Sequence, residues 1–361
     1  MKIVLATGIY SPDIGGPATY VSCIAKEFSR RGMEVVVVTY GGNPKSQAPN
    51  PREVWEVVRV KKGYCPINRW FMYAKALRKI GKDADIVYAF SSVSCGVPLK
   101  LARLKKPKKI LRLGGDFGWE RYTDWGGKKN LREWYESRYC ATALLRYLVM
   151  RLLGAFDHIV FSTKFQEEIY EGYFKKLSPH SVIENALPEG QPQMHAMNTP
   201  LSLLFMGRFV AFKNLDTFLK AVDKIDVRVT MVGEGPTSKK LKRIASPKIV
   251  FVSPVSGEEK QKIFQGHDLM VIPSFTEISS NVALEARVAG LPVLLTSETG
   301  LSSALSSGMI LKDLRNIDQI VTAIEDVRAR YSEYAQKAAQ PVQKRGWETV
   351  AQEHMRLFEV V

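Results

Sequence analysis

Short apolar runs rich in β-branched residues alternate with helical patterns along this 361-residue chain, and the series starts afresh half-way. That order marks βαβ units and parallel sheets, which confines the chain to an α/β class. In the first half the spacing predicts strands at Lys2–Thr7, Glu34–Thr39, Asp85–Phe90, Lys109–Leu113, His158–Ser162 and Ser181–Glu184. The second series runs Ser202–Met206, Arg228–Val232, Ile249–Val252, Leu269–Pro273 and Val293–Thr296. Helices fall between, such as Ala18–Arg31, closed by Gly32 as a left-handed cap. Leu187–Pro200 has no periodicity and is rich in Pro and polar residues, so it reads as a linker. The expected division is 1–187, a linker over 188–200, and 201–346, each half a Rossmann-like domain. Ligands of such sheets bind beyond the C-terminal ends of the strands, facing the cleft between the halves.

Composition narrows the function. The chain carries 52 Lys+Arg against 36 Asp+Glu, a formal charge of +16, yet its 45% apolar content is globular and excludes a disordered basic tail. The excess is concentrated: Lys100–Leu152 holds 14 Lys/Arg and 5 Asp/Glu. Four cysteines (Cys23, Cys65, Cys95, Cys140) form no CxxC, so neither a disulfide framework nor a zinc site is indicated, and reduced cytosolic thiols are the simplest reading. Five scattered histidines (His158, His180, His195, His267, His354) give no metal or triad pattern. The N-terminal apolar run is too short for a signal peptide, and no stretch reaches the roughly 20 apolar residues of a membrane span. A soluble or peripheral protein is expected.

Four loops carry the chemistry. After the first strand, GIYSPDIGGPATY lacks the GxGxxG spacing of a dinucleotide site. Gly15 and Gly16 precede a helix N-terminus that favours an anion, although an ordinary tight turn is the plainer reading. After the first strand of the second half, Arg208 and Lys213 stand five residues apart, placed to clamp a diphosphate as fork and point charge. Two solvated cations are the competing reading, and the position at a strand's C-terminal end favours the clamp. Gly233-Glu234-Gly235 forms another strand-to-helix turn on that edge, either approaching a ligand's base or sugar or serving as a bare turn. Glu277 and Glu285 bracket a strand–loop–helix junction in PSFTEISSNVALEARVAGLPV. The helix there offers free N–H groups from about Ser280 to Ala283, able to hold a phosphate, with Ser279, Ser280 and Asn281 beside it. Carboxylates beside such an anion site suit sugar hydroxyls.

Together, Gly15-Gly16, Gly207-Arg208 with Lys213-Asn214, Gly233-Glu234-Gly235 and the Glu-x7-Glu of Glu277 and Glu285 resemble the retaining glycosyltransferases of family 4, of GT-B fold. The resemblance extends to FSTKF (Phe161–Phe165), VIENALPE (Val182–Glu189) and a last helix, Trp347–Val360, which in that family crosses back to the N-terminal domain. It implies that Arg208 and Lys213 neutralise the donor diphosphate, Glu285 holds the ribose and Glu277 the donor sugar. The Glu234 loop and the turn at Ser253-Pro254-Val255 flank the base, and Gly16 approaches the phosphates as the cleft closes. The implied reaction is retaining, by front-face attack, without metal or other cofactor, the co-substrate being a nucleotide-diphosphate sugar of UDP or GDP type. The acceptor is a saccharide or a lipid-linked molecule in cell-surface glycan synthesis. Many relatives carry a histidine in the loop after the fourth strand; here LRLGGDFGWERY has none, and Asp116 takes the catalytic place, to contact the sugar or assist acceptor deprotonation, or else to stabilise the turn. The string Asp83-Ala84-Asp85 leads into a strand and reads as structural.

WGGKKNLREWYESRYCATALLRYLVMRLLGAF reads as a loop and then an amphipathic helix in which Trp134, Tyr135, Tyr139 and Tyr147 mix with arginines. With its basic surroundings in 100–152 it suits an anionic membrane surface on the inner face of the cell membrane, or else packs as a core helix with a solvated back. Nucleic acid is not expected as a partner. A nucleotide-sugar epimerase of the same fold and a non-enzymatic polyanion-binding protein are the alternatives.

Overall fold

The computed structural model describes every residue except 14, 42–53, 64, 138, 139 and 195, and the backbone alone of 140–143, 145 and 146. Tyr139 and His195 therefore lie outside the described residues. Two compact units are present. The first combines Met1–Phe117, Arg138–Ala186 and Trp347–Val361; the second combines Gly118–Ser137 and Leu187–Gly346.

In the first unit seven strands form one sheet: β1 (Lys2–Thr7), β2 (Glu34–Gly41), β3 (Glu56–Lys61), β4 (Ile86–Ala89), β5 (Lys108–Leu113), β6 (His158–Phe161) and β7 (His180–Val182). Their order is β3-β2-β1-β4-β5-β6-β7, with every neighbour parallel. The second unit holds β8 (Leu201–Met206), β9 (Val227–Val232), β10 (Ile249–Val252), β11 (Leu269–Ile272), β12 (Val293–Thr296) and β13 (Ile310–Lys312). There the order is β10-β9-β8-β11-β12-β13, again all parallel. Both are doubly wound Rossmann-like sheets, whose order reverses between β1 and β4 and between β8 and β11.

Burial on both faces explains why the strands read as continuous apolar runs. Along β8, Leu201, Leu203 and Phe205 face one cluster with the helices Leu215–Val222 and Ile317–Ala329. Leu204 and Met206 face another with the helix Asn281–Val288. In the first unit Ile3 and Leu5 meet Tyr20, Ile24 and Phe28 of the Gly16–Arg30 helix. That helix is ended by Gly32, at φ 78°, as the sequence implies.

The C-terminal helix Trp347–Val360 packs against the same layer, returning to the first unit as expected. Tyr20 Oη and His354 Nε2 share a buried hydrogen bond of 2.8 Å, and Phe28 and Phe358 meet edge to face at 5.5 Å. Cys23, Cys65 and Cys95 are free thiols. No helix among the described residues is long and apolar enough to cross a membrane.

Three differences from the sequence reading have physical causes. Strands β3 and β13 were not expected: both are edge strands, and one spans only Ile310–Lys312 while the other carries Glu56, Arg59 and Lys61. The expected loop-plus-helix is instead two helices, Leu131–Glu136 and Cys140–Leu153, split between the units. Trp134 and Tyr135 are buried in the second unit, so they do not belong to an exposed amphipathic face. Asn130 and Glu133 set the first of these helices through a reciprocal capping box. Asp85 sits at the N-terminal edge, where its carboxylate accepts from Lys2 N–H (2.8 Å), a structural role for that acidic pair.

One buried cation ties the Asn281–Val288 helix in place. Arg287, 1% exposed, donates from Nε to the Ser307 carbonyl (2.8 Å), from Nη1 to Ala338 (2.6 Å) and from Nη2 to Gln340 (3.1 Å). Arg287→Met leaves three carbonyls without a donor and costs on the order of 3 kcal/mol, read as a lowered urea midpoint for the second unit.

Candidate functional site

The C-terminal edge of the second sheet is built from three loops, after β8, β9 and β11. The first two are zipped together by backbone bonds. Gly207 N–H donates to the Val232 carbonyl (3.0 Å), Phe209 N–H to Glu234 (2.9 Å) and Thr237 N–H to Phe209 (3.2 Å). A Cβ on Gly233 would stand 1.9 Å from the Gly207 carbonyl oxygen, and one on Gly235 2.2 Å from that of Phe209. Close approach of one loop to the other thus accounts for both glycines; ligand approach is not needed to explain them. Beside this junction lies a cavity of about 350 Å³ lined by Glu234, Gly235, Lys239, Lys242, Phe251 and Ser253. Pro254 is exposed and Val255 half-buried on the neighbouring turn.

Arg208 is exposed just past β8. Lys213 ends a short 3-10 turn, Ala211–Lys213, and Asn214 follows in the left-handed region (φ 56°). Asparagine tolerates that conformation, and its amide is anchored on the Leu314 carbonyl at 3.1 Å. The turn brings the Lys213 ammonium onto the Glu277 carboxylate, an ion pair that Ser274 Oγ joins as a second donor. Glu277 is 5% exposed, and its backbone is fixed too: its N–H donates to Glu298 (2.9 Å) and its carbonyl accepts from Gly300 (2.8 Å).

The helix Asn281–Val288 starts four residues further on. Ser280 occupies its N-cap, yet its hydroxyl makes no capping bond and is buried without a partner. Its residue is 3% exposed, and the first turn holds no acidic residue, so the helix N-terminus keeps its favour for an anion. Ser279 and Asn281 are half-buried on either side. Glu285, one turn in, pairs with Lys260 of the Gly257–Gln265 helix. A carboxylate has room for several donors, so Lys260 leaves capacity for a ligand hydroxyl.

The Gly118–Ser137 segment lines the same edge. Trp119 lies 5.3 Å from the ring of Phe212, beside Lys213, and Leu131 N–H donates to Thr276 Oγ1 (2.9 Å), beside Glu277. Glu133 reaches Arg315 at 2.7 Å. In the first unit, Gly15 caps the Gly16–Arg30 helix with Pro17 near its start. Asp116 is 3% exposed, and its Oδ2 accepts from Tyr170 Oη at 2.7 Å. That bond supports the turn-stabilising reading of Asp116 without removing the carboxylate's remaining acceptor capacity.

The family model described as Glycosyltransferase Family 4 matches residues 14–189, and that described as Glycosyl transferases group 1 matches 200–330. The chain is a glycosyltransferase of GT-B fold. It is 24% identical to an uncharacterized glycosyltransferase of Methanocaldococcus jannaschii, over 100% of this chain and 98% of that one. To a D-inositol 3-phosphate glycosyltransferase of an Arthrobacter species it is 25% identical, over 94% and 89%. Among solved structures, Anabaena HepE in complex with UDP-glucose aligns over the whole of both chains, with a TM-score of 0.75 and 14% identity.

Several residues at this candidate site carry no sequence signal. Lys260 and Trp119 come from other elements, and Ser274 lies in the same loop three residues before Glu277. A His/carboxylate group, Glu167, Glu171 and His180, assembles at the β7 edge of the first unit, with Lys164 on Glu167. Burial opposes the His180 charge, but the Ser178 carbonyl and the Glu171 carboxylate outweigh it and raise its pKa.

Glu298, whose carbonyl holds Glu277, has one carboxylate oxygen buried without a partner. Burial raises its carboxyl above the ordinary 4.5, with Arg132 pulling against the rise. A raised folded value means stability fully present below the unfolded pKa and lost as pH rises through the folded one. Glu298→Gln therefore raises the Tm at pH 7 and leaves it nearly unchanged at pH 4, as differential scanning calorimetry at the two pH values reads.

Proposed function

We propose that this glycosyltransferase is a retaining, family 4 enzyme that moves a sugar from a UDP- or GDP-sugar to a saccharide or lipid-linked acceptor in cell-surface glycan synthesis, without a metal or other cofactor. The observation that carries it is the Lys213–Glu277 pair standing beside an uncapped helix N-terminus, with Glu285 one turn further on. Such an edge offers cations and N–H groups to a diphosphate and carboxylates to hydroxyls. The UDP-glucose bound by Anabaena HepE supports the donor class, and the phosphorylated polyol in the name of the Arthrobacter relative supports a polar acceptor.

In this reading Arg208 and Lys213 take up the charge that grows on the leaving diphosphate, aided by the N–H groups at Ser280 and Asn281. When the diphosphate draws Lys213, Glu277 keeps Ser274 as donor and gains acceptor capacity for a sugar hydroxyl. Glu285 holds the ribose, and the Glu234 cavity with Pro254 and Val255 takes the base. Gly15 and Gly16 offer backbone to the phosphates, and Asp116, steadied by Tyr170, contacts the sugar or takes the acceptor proton. Leaving-group oxygens help deprotonate the acceptor in front-face attack, with Asp116 at most assisting, so the anomeric configuration is kept.

A panel of nucleotide sugars, followed by release of UDP or GDP, tests the donor reading. One donor is turned over, EDTA leaves the rate intact, and Glu277→Ala lowers it roughly 10²–10³-fold, the cost of losing one preorganised polar contact. Inverted product anomers in the NMR spectrum would sink the retaining mechanism.

A peripheral position on the inner face of the cell membrane is part of the proposal. On the Cys140–Leu153 helix, Leu144 (67% exposed), Tyr147, Leu148 (54%) and Arg151 follow at i, i+3, i+4 and i+7, so they share one exposed face. Lys100 Nζ donates to the Arg151 carbonyl (3.0 Å), which sets the exposed Leu101 and Arg103 nearby, followed by Lys105, Lys106 and Lys108. Apolar side chains ringed by cations suit an anionic lipid interface, at about 1 kcal/mol per cation near the surface. The protein floats with phosphatidylserine vesicles and not with neutral ones, and Leu144→Asp/Leu148→Asp abolishes flotation; equal recovery with both vesicle types counts against membrane binding.

A further inference from the structure

The helix Lys164–Tyr173 and the start of β7 bring together three side chains that none of the roles above uses. Glu167 and Glu171 stand four apart on that helix, so they share a face, and His180 opens the strand. His180 Nε2 lies 3.0 Å from Glu171 Oε1 and 3.7 Å from Glu167 Oε1. One ligand atom from each of the three residues falls within 4.8 Å of the other two. The histidines gave no metal pattern in the sequence because His180 is nine positions beyond Glu171 and meets it only once the chain turns back.

Two of the three groups are aimed from outside. His180 Nδ1 faces the Ser178 carbonyl at 3.0 Å; a carbonyl only accepts, so the ring proton sits there and Nε2 turns to the carboxylates. Lys164 holds Oε2 of Glu167 and leaves Oε1 toward the histidine. Outer partners of this kind orient the ligands of metal sites. The Glu167 side chain is only 8% exposed, yet its Oε1 accepts no hydrogen bond from the described residues, Nε2 at 3.7 Å being out of range. Carboxylates at i and i+4 repel, and burial of one raises the cost, so the gap between them favours a cation. Bonds of ~2.0–2.1 Å around a tetrahedral zinc ion set ligand atoms about 3.3–3.4 Å apart. The separations of 3.0 and 3.7 Å straddle that edge. An imidazole among the donors suits zinc better than calcium or magnesium, which take oxygen ligands.

We propose that Glu167, Glu171 and His180 bind a zinc ion that fastens the edge strand β7 to the Lys164–Tyr173 helix, with a water as fourth ligand. None of these residues belongs to the loops after β8, β9 and β11, so the site is independent of the donor reading and supplies no metal to sugar transfer. Zinc held only by the folded chain adds to its stability.

Calorimetric titration of the full chain with zinc chloride, after treatment with EDTA and dialysis, tests the site. A single tight site appears, and Glu171→Gln/His180→Gln weakens it at least tenfold. Zinc raises the Tm of the wild-type chain and leaves that of the double variant unchanged. Cobalt(II) in place of zinc gives the intense visible absorption of a four-coordinate ion, which the double variant loses. Absence of binding, or equal binding by the double variant, overturns the proposal, since the ion is then adventitious. Displacement of zinc by an equal concentration of magnesium or calcium overturns it too, because a carboxylate patch without the histidine would account for that. Should the double variant not fold, Glu171→Gln decides, its side chain being 48% exposed. A threefold or greater loss of zinc affinity there supports the site, and none refutes it.

Discussion

A parallel strand covered by helices on both faces leaves polar groups nowhere to go except its ends. Every strand pair described in either unit is parallel, and β8 shows the consequence: after Ser202 alternate residues enter two different apolar clusters, and the next polar side chain is Arg208, beyond Met206. The chemistry is therefore confined to loops, and the loops must be held by the sheet edge. Backbone bonds between the Gly207 and Gly233 turns, and between Glu277 and Glu298, do that holding.

The carboxylates at the C-terminal edge of the second sheet are not waiting bare. Glu277 is shared by Lys213 and Ser274, and Glu285 by Lys260, so burial is compensated by charge-assisted bonds. Those partners orient the carboxylates while leaving acceptor capacity. Arg287 adds to the same order from behind by fixing the helix whose N-terminus faces the site, through carbonyls of Ser307, Ala338 and Gln340. Charge elsewhere is less uniform than the sequence implies. The basic stretch 100–152 is divided, with Arg121, Lys128, Lys129 and Arg132 on the second unit and the Lys105–Lys109 run on the first. Trp134 and Tyr135 are core residues, which leaves Leu144, Tyr147 and Leu148 as the exposed apolar and aromatic residues of that stretch's second helix.

Two parallel sheets and their central strands were legible in the sequence because doubly buried strands carry long β-branched apolar runs; the returning C-terminal helix followed from the family resemblance. Edge strands were not legible, since β3 and β13 carry charge or are only a few residues long. Arg208, Lys213 and Glu277 were legible as residues in loops beyond strand ends, and Glu285 by its spacing from Glu277 across a strand–loop–helix junction. Their partners were less so: Lys213 and Glu277 are 64 positions apart, and Lys260 and Glu285 are 25 apart. The glycines of the Gly233 turn were visible, but their cause was not, because the carbonyl that excludes a Cβ belongs to Gly207.

Local periodicity and loop chemistry thus determined the α/β class, the double series of strands and the polar loops beyond their C-terminal ends. Only the tertiary structure decided which unit Gly118–Ser137 joins and which cation answers which carboxylate. The physical reason is range. Hydrophobic period and capping are written within a few neighbouring residues, whereas pairing of charges depends on which loops the sheet order brings to one edge.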